Sequence, residues 1–205
     1  MSLLWLILPL SFALMRLATR RYAFSALVTL SCAGIVLIAG LENSASLVVL
    51  GLLLSVVGDW FMAHQERDGL NFLRGVFGFS LAHVAFIAFA VQRFAFSAAA
   101  LCVALALAAG YMVYLKKRVW PGLDGFLRGA LATYALISVA GLFCALCMDA
   151  PQPEKALYIA GIASILFSDT MIAEAEFAHH ARAAMLILPT YYLCHMLIAA
   201  SQLLR

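Results

Sequence analysis

The sequence predicts an all-α integral membrane protein with about eight transmembrane helices in a single domain, residues 1-205. Hydrophobic residues make up 66% of the 205 residues and charged residues only 11%, against roughly 25% charged in a soluble domain. The mean hydropathy is +1.03. A helical crossing of a bilayer needs about 20 apolar residues, so the chain suffices for about eight crossings and leaves almost nothing for a soluble domain.

Long apolar runs joined by short links place the spans along the chain. The first run, SLLWLILPLSFALM, follows no basic region and precedes no small-residue cleavage site. We therefore expect it to be a retained span and not a secretion signal. The predicted spans are residues 2–15, 22–41, 46–64, 71–92, 95–115, 126–147, 156–176 and 183–204.

Basic residues indicate the orientation of these spans. The odd-numbered loops and their borders contain Arg16, Arg20, Arg21, Arg67, Lys116, Lys117, Arg118 and Arg182. The opposite side contains Arg93, Lys155 and Arg205. The positive-inside rule therefore predicts cytoplasmic odd-numbered loops and both termini outside, in the inner (plasma) membrane if the source is bacterial. The net charge of +3 is spread over short loops, so nucleic acid is not an expected partner.

Two carboxylates lie inside spans at the same depth. Asp59 comes about one turn before the end of span three, and Asp169 has the same position in span seven. An ionisable group inside a span costs about 2.5 to 3.5 kcal/mol even on the lenient insertion scale, so each acid is expected to face the bundle interior and is a functional candidate. A hydrogen bond that holds two helices together is the alternative for each.

If the two carboxyls share one cavity, we expect one of them to stay protonated beside an ionised partner, as a general acid beside a general base. Such a pair suits the activation of an acetal-like or enol-ether oxygen through an oxocarbenium-like transition state. Paired buried acids in a duplicated bundle are also what a proton-coupled transporter of a small or lipid-like substrate would use. Both functions are therefore candidates.

Spans three and seven align without gaps, which suggests a duplication. The alignment pairs the two aspartates and also Gly51 with Gly161, and a two-residue shift pairs His83 with His195. Four spans per unit is an even number, so the halves would be parallel and related by an axis along the membrane normal. We predict a 4+4 duplication with halves 1-93 and 94-205, with chance similarity of apolar helices as the alternative.

Histidines inside spans are candidates for substrate contact. His83 shares one helical stripe of span four with Phe72, Phe79 and Phe86. A histidine in such a position either binds substrate or forms a hydrogen bond in the core. His195 in span eight is a candidate through its alignment with His83.

Arginines and tyrosines complete the candidate substrate-binding set. Arg74 and Arg128 lie about one turn inside the cytoplasmic ends of spans four and six, where each could bind a phosphate or extend to the membrane interface. Tyr134, Tyr191 and Tyr192 supply hydroxyls that could position water. Ordinary interhelical hydrogen bonding is the alternative for each tyrosine.

Four short motifs, in order along nearly the whole chain, resemble those of the YhhN-type lysoplasmalogenase family. They are G-D-x-x-x-A at 58–63, F-x-x-G-x-x-x-F-x-x-x-H at 72–83, L-F-S-D at 166–169 and P-T-Y-Y at 189–192. The resemblance implies an intramembrane hydrolase that cleaves the vinyl ether bond of a lysoplasmalogen to a fatty aldehyde and a glycerophospho-base. It also implies that Asp59 and Asp169 are the catalytic aspartates.

The resemblance has one departure and several further implications. It implies a glutamine where this chain has His195. The expected partners are a lysophospholipid substrate and membrane lipids, with the active site in the cytoplasmic half. Vinyl ether hydrolysis needs no metal and no organic cofactor, so we expect none. The sequence also lacks the G-x-S-x-G and H-E-x-x-H motifs of serine hydrolases and zinc proteases.

Overall fold

Within residues 3–40 and 45–204, which a computed structural model describes, the chain forms eight α-helices and no strand. The all-α prediction is confirmed. The helices are α1 Ile7–Thr19, α2 Tyr22–Gly40, α3 Ser46–Ala63, α4 Asn71–Val91, α5 Ala98–Arg118, α6 Gly125–Leu146, α7 Gln152–Phe177 and α8 Ala181–Leu203. Short 3-10 turns, Leu3–Leu6 and Gln65–Arg67, precede α1 and α4. The predicted span limits at residues 2 and 41, and Arg205, lie outside the described residues.

Among the helices of these described segments, α2 to α8 are long and apolar enough to cross a membrane. The protein is therefore a multi-pass membrane protein. The first helix is shorter, with 13 residues, or about 20 Å at 1.5 Å per residue against a hydrocarbon core of about 30 Å. Its 3-10 turn extends this apolar segment to Leu3–Thr19.

Two helices begin at a distance from their predicted starts, and capping explains both. Helix α5 begins at Ala98 instead of residue 95 because the Ser97 hydroxyl accepts a hydrogen bond from the backbone N–H of Ala100 at 3.2 Å. Helix α7 begins at Gln152 instead of residue 156 because Pro151 lies at its N-cap and a second proline in its first turn. A proline there lacks only an N–H that the helix would leave unpaired.

Helix packing follows the same pattern in both halves. In the N-terminal half α1 packs on α2, α2 on α3 and α3 on α4, and in the C-terminal half α5 packs on α6, α6 on α7 and α7 on α8. Between the halves, α2 packs on α8 and α4 on α6. Exchanging each helix for the one four places away leaves this set of main contacts unchanged, as a pseudo-twofold axis requires. The packing supports the duplication, which stays a prediction.

Two glycines make equivalent close approaches in the two halves. A Cβ added at Gly51 in α3 would lie 2.4 Å from Cε1 of Phe86 in α4, and one added at Gly161 in α7 would lie 2.7 Å from Cγ1 of Ile198 in α8. The offsets between these pairs, 110 residues for the glycines and 112 for their partners, are those that align the aspartates and the histidines. The α3–α4 and α7–α8 contacts therefore have the same register.

Candidate active site

Asp59 lines a cavity of about 240 Å³ between α1, α2, α3, α7 and α8, hereafter the Asp59 cavity. Its carboxyl interacts with the hydroxyls of Tyr191 and Ser25 and lies in the electrostatic field of Arg16. One carboxyl oxygen, Oδ2, is buried without a hydrogen-bond partner among the described residues. The other polar side chains that line this cavity are Arg16, Tyr22, Ser25, Gln65, Glu176 and Tyr191.

Asp169 lines a second cavity, of about 50 Å³, between α4, α6 and α7, hereafter the Asp169 cavity. Asp169 is 8% exposed, and its carboxyl interacts with the hydroxyl of Tyr134. The rest of the wall is apolar, from Phe72, Leu73, Val76, Leu127, Ala130, Leu131, Ala173 and Phe177. The Asp59 cavity is therefore polar and the Asp169 cavity almost entirely apolar.

The two acids lie in neighbouring cavities and not in one chamber. Among the described residues, Met62, Phe79 and Ile172 line both cavities and separate them. The expectation of a single shared cavity is wrong for this structure. The physical reason is packing at the centre of the bundle, where Phe79, which lines both cavities, meets the Tyr191 ring edge to face with centroids 5.9 Å apart.

His83 forms a close pair with Asp169. Its Nδ1 lies 2.9 Å from the carbonyl oxygen of Phe79, and because a carbonyl can only accept, Nδ1 carries a proton. Its Nε2 lies 3.4 Å from Oδ2 of Asp169 and 3.3 Å from the hydroxyl of Ser138. A neutral imidazole therefore presents a lone pair at Nε2. His83 and Asp169 can share one proton, held either on the carboxyl or on the imidazolium.

His195 is the counterpart of His83 but lines neither cavity. Its Nδ1 lies 3.0 Å from the hydroxyl of Thr29, and its ring packs against Tyr191 with centroids 4.3 Å apart. Its Nε2 is buried and has no hydrogen-bond partner in the parts of the chain that the structure describes. The histidine–hydroxyl pairs of the two halves, His195 with Thr29 and His83 with Ser138, would correspond under the predicted duplication.

The candidate tyrosines divide between the two cavities. Tyr134 lines the Asp169 cavity and Tyr191 the Asp59 cavity. Tyr192 is buried beside the Asp59 cavity, where its hydroxyl donates to the Ser25 hydroxyl at 2.8 Å. All three hydroxyls thus lie close to one of the two acids.

The two arginines singled out in the sequence lie away from the acids. Arg74 donates to Asp68 at 2.7 Å and to Asn71 at 2.9 Å, and it borders an outer groove of α4 instead of either cavity. The Leu70 backbone N–H, then the Arg74 guanidinium, lowers the pKa of Asp68, so this pair is charged at neutral pH. Arg128 is exposed near the start of α6.

Sequence reasoning missed Arg16, which lines the Asp59 cavity. The predicted span 2–15 places Arg16 in a loop, but α1 continues to Thr19. Arg16 therefore lies in the last turn of a helix with a fixed direction toward α2 and α8. Only the register of α1 could have indicated this position, and hydropathy does not determine helix ends to within one turn.

Fold and site together define a polytopic α-helical membrane protein in which two aspartate carboxyl groups line adjoining cavities of the bundle. The YhhN family model matches residues 20–202, nearly the whole chain. The protein belongs to the YhhN family, which is consistent with a lysoplasmalogenase-like hydrolase of membranes. Asp59 and Asp169 lie within the matched segment, and Arg16 precedes it. No solved structure matches the chain.

Proposed function

We propose that this protein is an intramembrane hydrolase that cleaves the vinyl ether bond of a lysoplasmalogen into a fatty aldehyde and a glycerophospho-base. The observation that carries the proposal is the pair of carboxyls at the same depth of the bundle, in adjoining cavities and beside tyrosine hydroxyls. The Asp59 carboxyl also keeps one oxygen, Oδ2, buried without a hydrogen-bond partner in the described chain, which a purely structural hydrogen bond would not explain. Family membership supports the same reaction.

The reaction needs one acid and one base. Proton transfer to the β-carbon of the vinyl ether gives an oxocarbenium ion, water adds to the carbon that bears the oxygen, and the hemiacetal collapses to aldehyde and alcohol. A carboxylic acid supplies the first proton, and a carboxylate stabilises the cation and takes a proton from the water. The reaction consumes one water and exchanges no electrons. The donor gives one proton to the β-carbon and the base takes one proton from the water, so the number of protons on the two acids is unchanged.

The surroundings of the acids suggest how these roles divide. Asp169, which can share a proton with His83 at 3.4 Å, is the proposed proton donor. Asp59 has Arg16 as a counter-charge and hydroxyls on either side, so it is the proposed carboxylate that orients the water. The polar Asp59 cavity has room for water, because its volume of about 240 Å³ is several times the roughly 30 Å³ of a water molecule.

Both acids can reach one vinyl ether only if the wall between the cavities moves. Met62 is the most adaptable member of that wall, because its side chain is unbranched and has three rotatable bonds. We propose that the bound alkenyl chain displaces Met62 and lies in the apolar Asp169 cavity. The half-exposed side chains of Phe72, Leu73 and Leu127 then form its entrance from the membrane.

The proposed location follows from the basic loops. Both cavities are lined by residues at the helix ends that odd-numbered loops join, such as Gln65 and Phe177. With those loops in the cytoplasm and both termini outside, the active site lies in the cytoplasmic half of a plasma membrane, the inner one in bacteria. The substrate is a lysophospholipid that enters from this leaflet.

Aldehyde release from alkenyl, alkyl and acyl lysolipids, supplied side by side to the purified protein, tests the proposal. We expect aldehyde from the alkenyl lipid alone. Asp59→Asn and Asp169→Asn should each lower the rate by about 10²- to 10⁴-fold, the contribution of one general acid or base. Asp149→Asn, at an exposed aspartate at the opposite end of the bundle, should retain the rate.

Three results would contradict the proposed hydrolysis. Full activity in either buried-site variant would remove that aspartate from the mechanism. No aldehyde from the unaltered protein, together with pH-dependent uptake of a lipid-like solute into proteoliposomes, would favour the proton-coupled transporter. Fatty acid release from the acyl lipid would indicate an esterase.

A further inference from the structure

Arg16 is a cation without a complete set of partners inside the Asp59 cavity. Its side chain is half-buried, and its Nε is buried with no hydrogen-bond partner among residues 3–40 and 45–204. The guanidinium interacts with the hydroxyl of Tyr192 and with the charge of Asp59. Because Arg16 lines the cavity, its guanidinium borders the space that an incoming anion would occupy, and its planar fork matches a phosphate.

The cavity also contains negative charge, which restricts the ligand. Besides Asp59, Glu176 lines it, is exposed at its rim and accepts a hydrogen bond from the Gln65 amide at 3.3 Å. A bare anion would be attracted by Arg16 but repelled by the two carboxylates. A ligand with a phosphate and an ammonium group a few bonds apart would satisfy both signs of charge.

We propose that the Asp59 cavity is the headgroup site of the enzyme, in which Arg16 binds the phosphate and Glu176 the ammonium group of a zwitterionic lysophospholipid. This assignment rests on the proposed function, which supplies the lysolipid. It places the phosphate near the acid that orients water, as the short glycerol link between phosphate and vinyl ether requires. The apolar Asp169 cavity is left for the hydrocarbon chain.

The assignment differs from a surface arginine that only anchors the helix in the membrane. Arg74 is occupied by Asp68 and Asn71, with 47% of its side chain exposed. Arg128 is exposed and borders neither cavity. Arg16 differs from both because it shares a cavity with one of the acids.

Binding of lipids that cannot be cleaved tests the headgroup site separately from the reaction. The probes are 1-alkyl lysophosphatidylethanolamine, 1-alkyl lysophosphatidic acid and 1-alkylglycerol of the same chain length, titrated onto the full-length protein in nanodiscs. Arg16→Gln should weaken binding of both phosphate lipids about 10- to 100-fold, the worth of hydrogen bonds to a charged group, and leave alkylglycerol binding unchanged. Arg16→Lys should recover part of the loss because it keeps the charge.

Glu176→Gln should weaken binding of the ethanolamine lipid and leave lysophosphatidic acid binding equal or stronger. The matched control is Arg67→Gln, an exposed arginine at the same end of the bundle, which should bind all three lipids as the unaltered protein does. Thermal unfolding of each variant confirms that it is folded.

Four outcomes would overturn the headgroup site. Arg16→Gln could weaken all three lipids equally, which indicates a structural role, or could change none of them. Loss of phosphate-dependent binding in Arg74→Gln instead would move the headgroup to the outer groove of α4. Headgroup-dependent binding without aldehyde release would overturn the proposed reaction alone, and aldehyde release without headgroup dependence would overturn this site alone.

Discussion

The closest backbone approach next to the site predicts a large effect from one methyl group. A Cβ added at Gly78 in α4 would lie 3.1 Å from both Cα and N of Gly58 in α3. This is 0.3 Å short of the 3.4 Å at which ordinary contact begins. Because the opposing atoms are backbone, no side chain can rotate away, and Gly78→Ala must move α4 relative to α3.

The magnitude follows from two opposing terms. Alanine is favoured over glycine inside a helix by about 1 kcal/mol, whereas overpacking of a core typically costs about 1 to 3 kcal/mol. We expect a net loss of up to about 2 kcal/mol. Gly58 directly precedes Asp59, so the same shift displaces the carboxyl. Since misplacement by about 1 Å can cost 10²-fold in rate, we expect aldehyde release to fall by about 10-fold.

Buried thiols provide the stability assay. Cys32, Cys144, Cys147 and Cys194 are buried and become reactive only on unfolding, so a thiol-reactive dye reports the transition in a Cys102→Ser background that removes the exposed cysteine. The control is Gly110→Ala in α5, where a Cβ would meet no heavy atom within 4 Å in the described parts of the chain. Gly110→Ala should unfold at the same temperature or higher. Equal unfolding temperatures and equal rates for Gly78→Ala and the unaltered protein would show that α3 and α4 accommodate the added methyl group without moving.

Two buried side-chain pairs and the orientation of the chain in the membrane can be tested by further substitutions. Glu154→Gln should destabilise the protein by about 3 to 5 kcal/mol in the same assay. The substitution leaves Arg93 without its partner in an ion pair whose carboxylate is fully buried. An unchanged midpoint of thermal unfolding would show that the ion pair contributes nothing to stability. Thr29→Val should lower stability by about 1 to 3 kcal/mol, because Nδ1 of His195 then loses its partner, and a neutral effect would mean that the ring finds another one. Lys117→Cys should react with an impermeant maleimide from the cytoplasmic side only, and labelling from outside would invert the orientation.

The helices could be predicted from sequence because a membrane span needs a long apolar run, and such runs are conspicuous. Errors occur where side-chain chemistry overrides hydropathy. The cap at Ser97 delays α5, and the prolines at 151 and 153 advance α7. Hydropathy ends the first span at residue 15 because Arg16 is charged, but α1 continues to Thr19, since an arginine can remain helical when its guanidinium has a polar cavity to enter.

The acids could be predicted because a carboxylate inside a span is rare and expensive. The positions of the two acids relative to each other could not be predicted. Whether Asp59 and Asp169 face one chamber depends on the side chains that fill the centre of the bundle, and Met62, Phe79 and Ile172 look like any other apolar residues of a span. The arginine nearest to Asp59 likewise depends on helix rotation, which loop charges do not encode.

The centre of the bundle accounts for how the two halves of the predicted duplication would bind the proposed lysolipid, which is asymmetric. Phe79 and Tyr191 lie 112 positions apart, the offset that pairs His83 with His195, so the two touching rings occupy equivalent positions on either side of the pseudo-twofold axis. Identical halves would give two identical cavities, yet a lysolipid has one polar and one apolar end. Divergence at this pair leaves one more hydroxyl group on the Asp59 side, that of Tyr191, and Arg16 adds charge there. In the proposed mechanism, the acid in the apolar cavity and the acid in the polar cavity therefore meet different parts of one substrate, as a proton donor and a base must.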